Sequence, residues 1–84
     1  MKHRTTKRFW DLYLALPKNI RRLADKNFDL LKKDSSHPSL HFKKAGELWS
    51  ARVGSSHRTL AVPDGDGFIW VWIGAHDEYD RLIS

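Results

Sequence analysis

Residues 57–74, HRTLAVPDGDGFIWVWIG, determine the fold class predicted for this chain. In Phe68–Ile73 the side chains of both alternating sets, which would point to opposite faces of a strand, are apolar. This is typical of a strand covered on both faces in the interior of a sheet, and Gly74 should end it. The stretch from His57 to about Val62 predicts another strand. Pro63–Gly67 has the composition of a tight turn, so the two strands should pair antiparallel.

Two more strands are predicted before this pair. In the second strand, apolar Trp49, Ala51 and Val53 alternate with Ser50 and Arg52, and Gly54-Ser55-Ser56 turns it into the third. In the first strand Leu40 and Phe42 alternate with His41 and Lys43, and the strand ends near Ala45-Gly46. The polar residues of both strands should therefore share the face that points away from the core.

Arg58 does not fit this alternation simply, because it has the same parity as Leu60 and Val62. We expect it at the strand edge, beside a bulge, or on a partly apolar face.

Helices are predicted on the N-terminal side of the strands. Phe9, Leu12, Tyr13 and Leu16 recur at helical spacing, which indicates a helix from about Thr6 to Leu16 with Thr5 or Thr6 as N-cap. Pro17 should end this helix and begin a second one, and Asp34–Pro38 should be a loop. The apolar stripe of the second helix is Ile20, Leu23, Ala24, Phe28 and Leu31.

The predicted architecture is α+β: an N-terminal helical hairpin packed on a four-stranded antiparallel sheet, followed by a short C-terminal helical segment within residues 75–83. Asp77 and Glu78 should lie near the positive end of that segment. With 84 residues, we expect residues 1–84 to form one domain.

Charge is distributed unevenly along the chain. Of the 15 Lys and Arg, ten lie in residues 1–33, against Asp11, Asp25 and Asp29; residues 34–84 hold the other five, against seven of the ten acids. This asymmetry is typical of proteins that bind a polyanion, either nucleic acid or an acidic protein segment, although a solvated basic helix face has the same composition.

The composition also excludes several classes of site. The chain has no cysteine, so disulfides, thiolate nucleophiles and thiolate metal sites are excluded. No cysteine assists the five histidines as a ligand, so we expect no metal and no cofactor. No segment has the roughly 18–20 apolar residues of a membrane span, and a cytoplasmic protein is expected.

Several strings, in this order, resemble the RelE/ParE superfamily, the toxins of type II toxin–antitoxin systems, over nearly the whole chain. They are HPSL (37–40) before FKK (42–44), LWSARV (48–53), HR (57–58) and WIGAHDEYDRL (72–82). The resemblance implies a toxin silenced by a cognate antitoxin protein. In relatives that cleave messenger RNA it also implies a metal-independent endoribonuclease, expected to act on the ribosome and so to block translation.

The resemblance carries roles over to individual residues. It implies that Arg58 holds the scissile phosphate, that Arg52 is a second cation, and that His76 occupies a position where relatives have Arg or His. Each also has a structural interpretation: an ion pair of Arg58 with Asp64 or Asp77, a solvated Arg52, and a His76 that caps the last segment.

Further residues are candidates for binding RNA. The positive charge or imidazole of four side chains could contact RNA, although such side chains are more commonly only solvated: Lys43, Lys44, His41 and His57. Tyr79 lies near an aromatic of some relatives and either stacks a base or docks the chain end.

One departure from the pattern keeps other functions open. Some histidine-bearing relatives have Arg late in the fourth strand, where this chain has Trp72. Relatives that inhibit DNA gyrase share the fold without the nuclease residues. The alternatives are therefore a non-enzymatic gyrase inhibitor and an inactive member that only binds antitoxin or nucleic acid.

Overall fold

The computed structural model describes residues 2–84. In chain order the elements are β1 His3–Thr5, α1 Lys7–Leu14, α2 Lys18–Lys33, a 3₁₀ turn Pro38–Leu40, β2 Lys43–Ala45, β3 Leu48–Val53, β4 His57–Asp64, β5 Gly67–Ala75 and α3 His76–Ile83. The five strands form one sheet in the order β1-β5-β4-β3-β2. β1 runs parallel to β5, and the other neighbours are antiparallel.

The α+β class is confirmed, but the four-stranded antiparallel sheet is wrong. The fifth strand, β1, has no apolar alternation and is added to the edge of β5 through its backbone, where Phe68 N–H donates to the Lys2 carbonyl at 2.8 Å. β5 is an interior strand, as predicted, but the middle of the five is β4.

The first predicted strand is also wrong at its start. Leu40 lies in the 3₁₀ turn and Phe42 in the coil before β2, so the strand begins only at Lys43. The His37 ring accepts the Ser39 N–H, which stabilises the turn at Pro38, and His41 then adopts a left-handed φ of +44°. The alternation argument for the direction of His41 therefore fails.

The two N-terminal helices lie where the apolar stripes predict: α1 ends at Leu14, before the predicted end at Leu16, and α2 contains the whole stripe from Ile20 to Leu31. Thr6 caps α1 by accepting the Phe9 N–H, and the Pro17 carbonyl accepts the N–H groups of Ile20 and Arg21 at the start of α2. The Tyr13 hydroxyl on α1 donates to Asp25 on α2 at 2.7 Å. The C-terminal helix is confirmed, with Asp77 and Glu78 in its first turn.

A bulge in β5 explains why that strand is apolar in both phases. Leu60 is opposite Trp72, whereas Ala61 is opposite Trp70, so Val71 is an extra residue. As a result Trp70 and Ile73, three residues apart, both pack towards α1 and α2, in clusters with Ala51 and Val53. Trp72 packs on the other face with Leu60 and Tyr79.

Within residues 2–84 no helix has the length and apolar character that a membrane span requires.

The imidazole of His3, which can be protonated, packs β1 against the core. Trp70 Nε1 donates to His3 Nδ1 at 3.1 Å, and the His3 ring also lies against Phe28 and Phe68. Burial, with the positive charge of Lys32 adding to it, lowers the pKa of His3 below its ordinary value of 6.5.

We therefore expect the fold to lose stability as pH falls below 6.5, because the unfolded chain then binds a proton that the folded chain resists. His3→Gln keeps an acceptor for Trp70 and removes the titration, so its Tm should fall less than that of the wild type between pH 7.5 and pH 5, two values chosen at about one unit or more on either side of the ordinary pKa. Thermal unfolding followed by circular dichroism measures both slopes. Parallel pH profiles for the two proteins would contradict this role of His3.

Candidate active site

Two arginines lie directly opposite each other on neighbouring strands. Arg52 of β3 is the register partner of Arg58 of β4, so both side chains leave the same face of the sheet, the face opposite α1 and α2. Like charges in this position destabilise a sheet by about 0.2–1 kcal/mol unless an anion lies between them. The pair is therefore a place where an anion is favoured.

Arg58 is 5% exposed. Its Nη2 donates to Ser50 Oγ at 2.8 Å and to the His41 carbonyl at 3.2 Å, and its guanidinium carbon lies 4.9 Å from the centre of the Tyr79 ring. Nε is buried and has no hydrogen-bond partner within residues 2–84. Of the three placements predicted for Arg58, the partly apolar face is the one found, because Leu60 and Trp72 share it.

No carboxylate of residues 2–84 lies within 4.0 Å of the Arg58 guanidinium. The two acids considered for an ion pair are engaged elsewhere: Asp64 with Arg4 at 3.3 Å, and Asp77 with Arg81 at 3.8 Å. The structural interpretation of Arg58 as an ion-pair residue is thus not observed. A buried guanidinium whose hydrogen-bond acceptors are all neutral has no counter-charge beside it, so an anionic ligand would stabilise it.

Arg52 is half-buried and is anchored to the turn that follows its strand. Nε donates to the Gly54 carbonyl at 2.8 Å, and Nη1 lies 3.5 Å from His41 Nε2, which is long for a hydrogen bond. His41 thus contacts both arginines, Arg52 through its ring and Arg58 through its carbonyl. A left-handed backbone at a non-glycine residue is uncommon and is found most often where the surroundings enforce it.

His76 is the first residue of α3 and its side chain is half exposed. Its N–H donates to the Ser56 carbonyl at 2.9 Å, and Nδ1 lies 3.1 Å from Asp80 Oδ2. In the tautomer with its hydrogen on Nδ1, the ring donates to the carboxylate and Nε2 is an acceptor. The N-cap of α3 is Ala75, so the interpretation of His76 as a cap is wrong, while its ring stays accessible.

Tyr79 lies between His76 and Arg58. Its ring centre is 5.8 Å from that of His76, and its hydroxyl donates to Ser50 Oγ at 3.2 Å. It is the buried residue of α3, so it docks the chain end, the second of its two expected roles.

The remaining candidates divide between the two faces of the sheet. Lys43 is opposite Ser50 and so shares the face of Arg58, whereas Lys44 is opposite Trp49, on the side of the helices. His57 is opposite Val53, also on the helical side, and its Nδ1 lies 2.8 Å from Ser56 Oγ. Contacts therefore link Arg52, Arg58, His41, Tyr79 and His76 in succession, Lys43 lies on the same face of the sheet, and Lys44 and His57 lie on the other face.

Ser50 is the residue of this site that the sequence reasoning did not select. It is 0% exposed and accepts hydrogen bonds from both Arg58 and Tyr79. The available signal was strand alternation, which places Ser50 on the same face as Arg52.

Two other features of the described residues bear on possible ligands. In the described part of the chain no three His, Asp or Glu side chains come together in a group that could hold a metal ion. A cavity of about 60 Å³ lies between the helices and the sheet, walled mostly by apolar residues such as Phe9, Phe28 and Trp70. Arg52 lies at its border, and the carboxylate of Asp25, also in its lining, disfavours a phosphate there.

No protein-family model and no curated protein matches the chain. Solved structures do. A chain of the RelB–RelE antitoxin–toxin complex from Methanococcus jannaschii is 18% identical with a TM-score of 0.74, and the match covers 96% of this chain and 99% of that one. The chain has the RelE toxin fold.

Other structures with this fold extend the comparison. The isolated RelE toxin of E. coli matches with a TM-score of 0.64 at 10% identity, over 96% of this chain and 93% of that one. The YoeB/ParE toxin of Agrobacterium tumefaciens matches with a TM-score of 0.59 at 22% identity, over 90% and 99%. Because the RelE fold is preserved at such low identity, the residues of the site have to be argued from their own geometry.

The opposed arginines predict that phosphate stabilises the folded chain, because a ligand that binds only the folded state raises Tm by mass action. We expect inorganic phosphate well above its Kd to raise Tm by several degrees, since about 1 kcal/mol corresponds to roughly 4–8 °C in a domain of this size. Arg52→Gln should reduce that shift by half or more, whereas Arg22→Gln, an exposed arginine on α2, should retain it.

Differential scanning calorimetry at constant ionic strength, with chloride as the reference anion, measures these shifts. Equal shifts in the two variants would place the phosphate somewhere other than between Arg52 and Arg58.

Proposed function

We propose that this chain is the toxin of a toxin–antitoxin pair, acts in the cytoplasm, and cleaves messenger RNA without a metal ion. The observation that carries the proposal is the opposed pair Arg52–Arg58, with no carboxylate between them and two imidazoles nearby. The RelE fold of the chain supports it.

Metal-free cleavage of RNA requires a base that takes the proton of a 2′-hydroxyl, an acid that protonates the leaving 5′-oxygen, and cations around the phosphorane-like transition state. In our proposal Arg52 and Arg58 supply the cations, and their planar guanidinium groups can each donate two hydrogen bonds to phosphate oxygens. The 2′-oxygen attacks phosphorus as the bond to the 5′-oxygen breaks, which leaves a cyclic phosphate and a 5′-hydroxyl end.

His76 is the acid/base group that we favour. Asp80 fixes one ring nitrogen, and the ring is exposed enough to meet a substrate, with its side chain at 49%. His41 is the other imidazole of this face and lies beside Arg52. In our proposal one of these histidines accepts the 2′-hydroxyl proton while the other donates to the 5′-oxygen.

Access to Arg58 requires a movement. At 5% exposure its guanidinium cannot meet a phosphodiester until the Tyr79 ring turns away, and Tyr79 is the buried residue of α3. Tyr79, once displaced, can stack on a base beside the scissile phosphate. In our proposal the ribosome presents the messenger strand and the cognate antitoxin covers the same face.

A second candidate function follows from Trp72. It is 7% exposed and packs on Leu60 and Tyr79, so β5 supplies an apolar side chain where some histidine-bearing relatives have arginine. This favours the non-enzymatic inhibitor of DNA gyrase. Inhibition of supercoiling by the purified chain, with no new RNA ends, would select this alternative.

We expect the purified chain to produce new 5′-hydroxyl ends in messenger RNA on translating ribosomes. His76→Gln should slow cleavage by about 10²–10⁴-fold, since it removes a general acid/base group. Arg52→Gln should slow it by about 10²–10³-fold, since it removes a donor to the transition state.

The matched control is Arg81→Gln, because Arg81 is an exposed residue of the same helix as His76 and pairs with Asp77. It should cleave at the wild-type rate. Mapping of 5′ ends by primer extension provides the rates, and cutting by His76→Gln at the wild-type rate would contradict the role of His76.

The two neighbouring lysines of β2 provide a test of which face binds RNA. Lys43→Gln should weaken binding of a single-stranded RNA and reduce the slope of log K against log salt by about 0.7, the value for one lost phosphate contact. Lys44→Gln should change both quantities less, because Lys44 is opposite Trp49. Fluorescence anisotropy over a salt series measures both, and equal effects would reject the assigned face.

A further inference from the structure

Ser50 is a buried hydroxyl at the centre of the charged face. It is 0% exposed and lies on β3 between Lys43 of β2 and Leu60 of β4. Alternation along β3 directs its side chain to the same face as Arg52. A small polar residue at this depth needs a hydrogen-bonding reason to be there.

Its oxygen receives two hydrogen bonds. Arg58 Nη2 donates to Ser50 Oγ at 2.8 Å, and the Tyr79 hydroxyl donates to the same atom at 3.2 Å. A hydroxyl oxygen has two lone pairs, so both are used. One atom on a rigid strand therefore sets the position of a guanidinium and of the aromatic ring that covers it.

The other acceptor of Arg58 is less well fixed. It is the carbonyl of His41, which lies in the coil between the 3₁₀ turn and β2. Without Ser50, the guanidinium would keep only this loop acceptor, and the Tyr79 hydroxyl would lose its partner. The direction of Arg58 thus depends on Ser50 more than on any other polar side chain that it contacts.

We propose that Ser50 is the positioning residue of the site: it aims the Arg58 guanidinium at the phosphate and holds Tyr79 over it between turnovers. The part of this inference that concerns the phosphate rests on the function proposed above. The part that concerns the orientation of Arg58 does not, and it can be tested without RNA.

Three variants separate positioning from stability. Ser50→Ala removes the acceptor with little change of volume, and Ser50→Thr keeps a hydroxyl. Thr59→Val is the matched control: Thr59 is 8% exposed, its hydroxyl donates to the Trp72 carbonyl at 2.7 Å, and it lies on the helical face of the same sheet.

Ser50→Ala should lower kcat for RNA cleavage on the order of tenfold to 100-fold with a smaller change in KM, because misplacement of a charged group costs rate more than binding. Ser50→Thr should recover part of the loss. Thr59→Val loses a buried hydrogen bond as well, yet should keep kcat within about twofold. Equal losses in Ser50→Ala and Thr59→Val would mean that Ser50 acts through stability alone, which would overturn the proposal.

A second measurement does not depend on cleavage. In NMR spectra of ¹⁵N-labelled protein, the two Nη groups of Arg58 should give separate signals whose hydrogens exchange slowly with water; Arg58→Lys assigns them. The Nη signals of exposed Arg22 should be averaged by rotation of its guanidinium. Ser50→Ala should allow the same rotation, and so the same averaging, at Arg58. If the wild-type Arg58 signals are already averaged, Ser50 does not position them, and this outcome holds even if Ser50→Ala does not fold.

The two measurements keep the two proposals distinct. One outcome is a wild-type protein that cleaves no RNA but has separate Arg58 Nη signals, which become averaged in Ser50→Ala. This outcome would support the positioning role and reject the nuclease. Cleavage that is unaffected by Ser50→Ala would uphold the nuclease and reject the positioning role.

Discussion

The pairing of β4 with β5 is the constraint on which the rest of the structure depends. The extra residue at Val71 reverses the alternation of β5, so that Trp70 and Ile73 face the helices while Trp72 faces the other way. One strand thereby contributes to three apolar clusters. The clusters of Trp70 and Ile73 pack α1 and α2 on one face of the sheet, and the cluster of Trp72 packs Tyr79 and α3 on the second face.

On that second face, packing and electrostatics oppose each other. Leu60, Trp72 and Tyr79 make a small apolar layer, and Arg58 is enclosed at its margin without a carboxylate within salt-bridge distance among the described residues. Enclosing an unpaired cation is costly, and here a hydroxyl, a carbonyl and an aromatic face offset only part of the cost. A sequence selected for stability alone would have an apolar residue or an acid there. The arrangement is understandable as one built to receive an anion.

Much of this architecture could be predicted from the sequence, and the failures have physical causes. The apolar run 68–73 and the alternation in 48–53 identified β3 and β5 because burial imposes a period on these strands. β1 could not be found in this way, since three residues held by backbone hydrogen bonds carry no period. The start of β2 was misplaced because a 3₁₀ turn and a left-handed His41 replaced the expected alternation. Alternation placed Arg52 on the face away from the helices but left three placements open for Arg58, because Arg58 has the parity of Leu60 and Val62. Alternation also gives the face of Ser50, but its role depends on Arg58 and Tyr79, which are distant in sequence.

The attachment of α3 has a consequence for the energy landscape of the chain. Its one buried side chain is Tyr79, and Leu82 and Ile83 near its end remain exposed. The free energy needed to open this last segment is therefore a fraction of that needed to unfold the sheet. Amide hydrogens of α3 should exchange with solvent through local openings, whereas those of β4 and β5 should exchange only on global unfolding. Any macromolecule that captures the opened segment would take His76 and Tyr79 away from the arginines without unfolding the sheet, so loss of the site and loss of the fold can be separate events in this small chain.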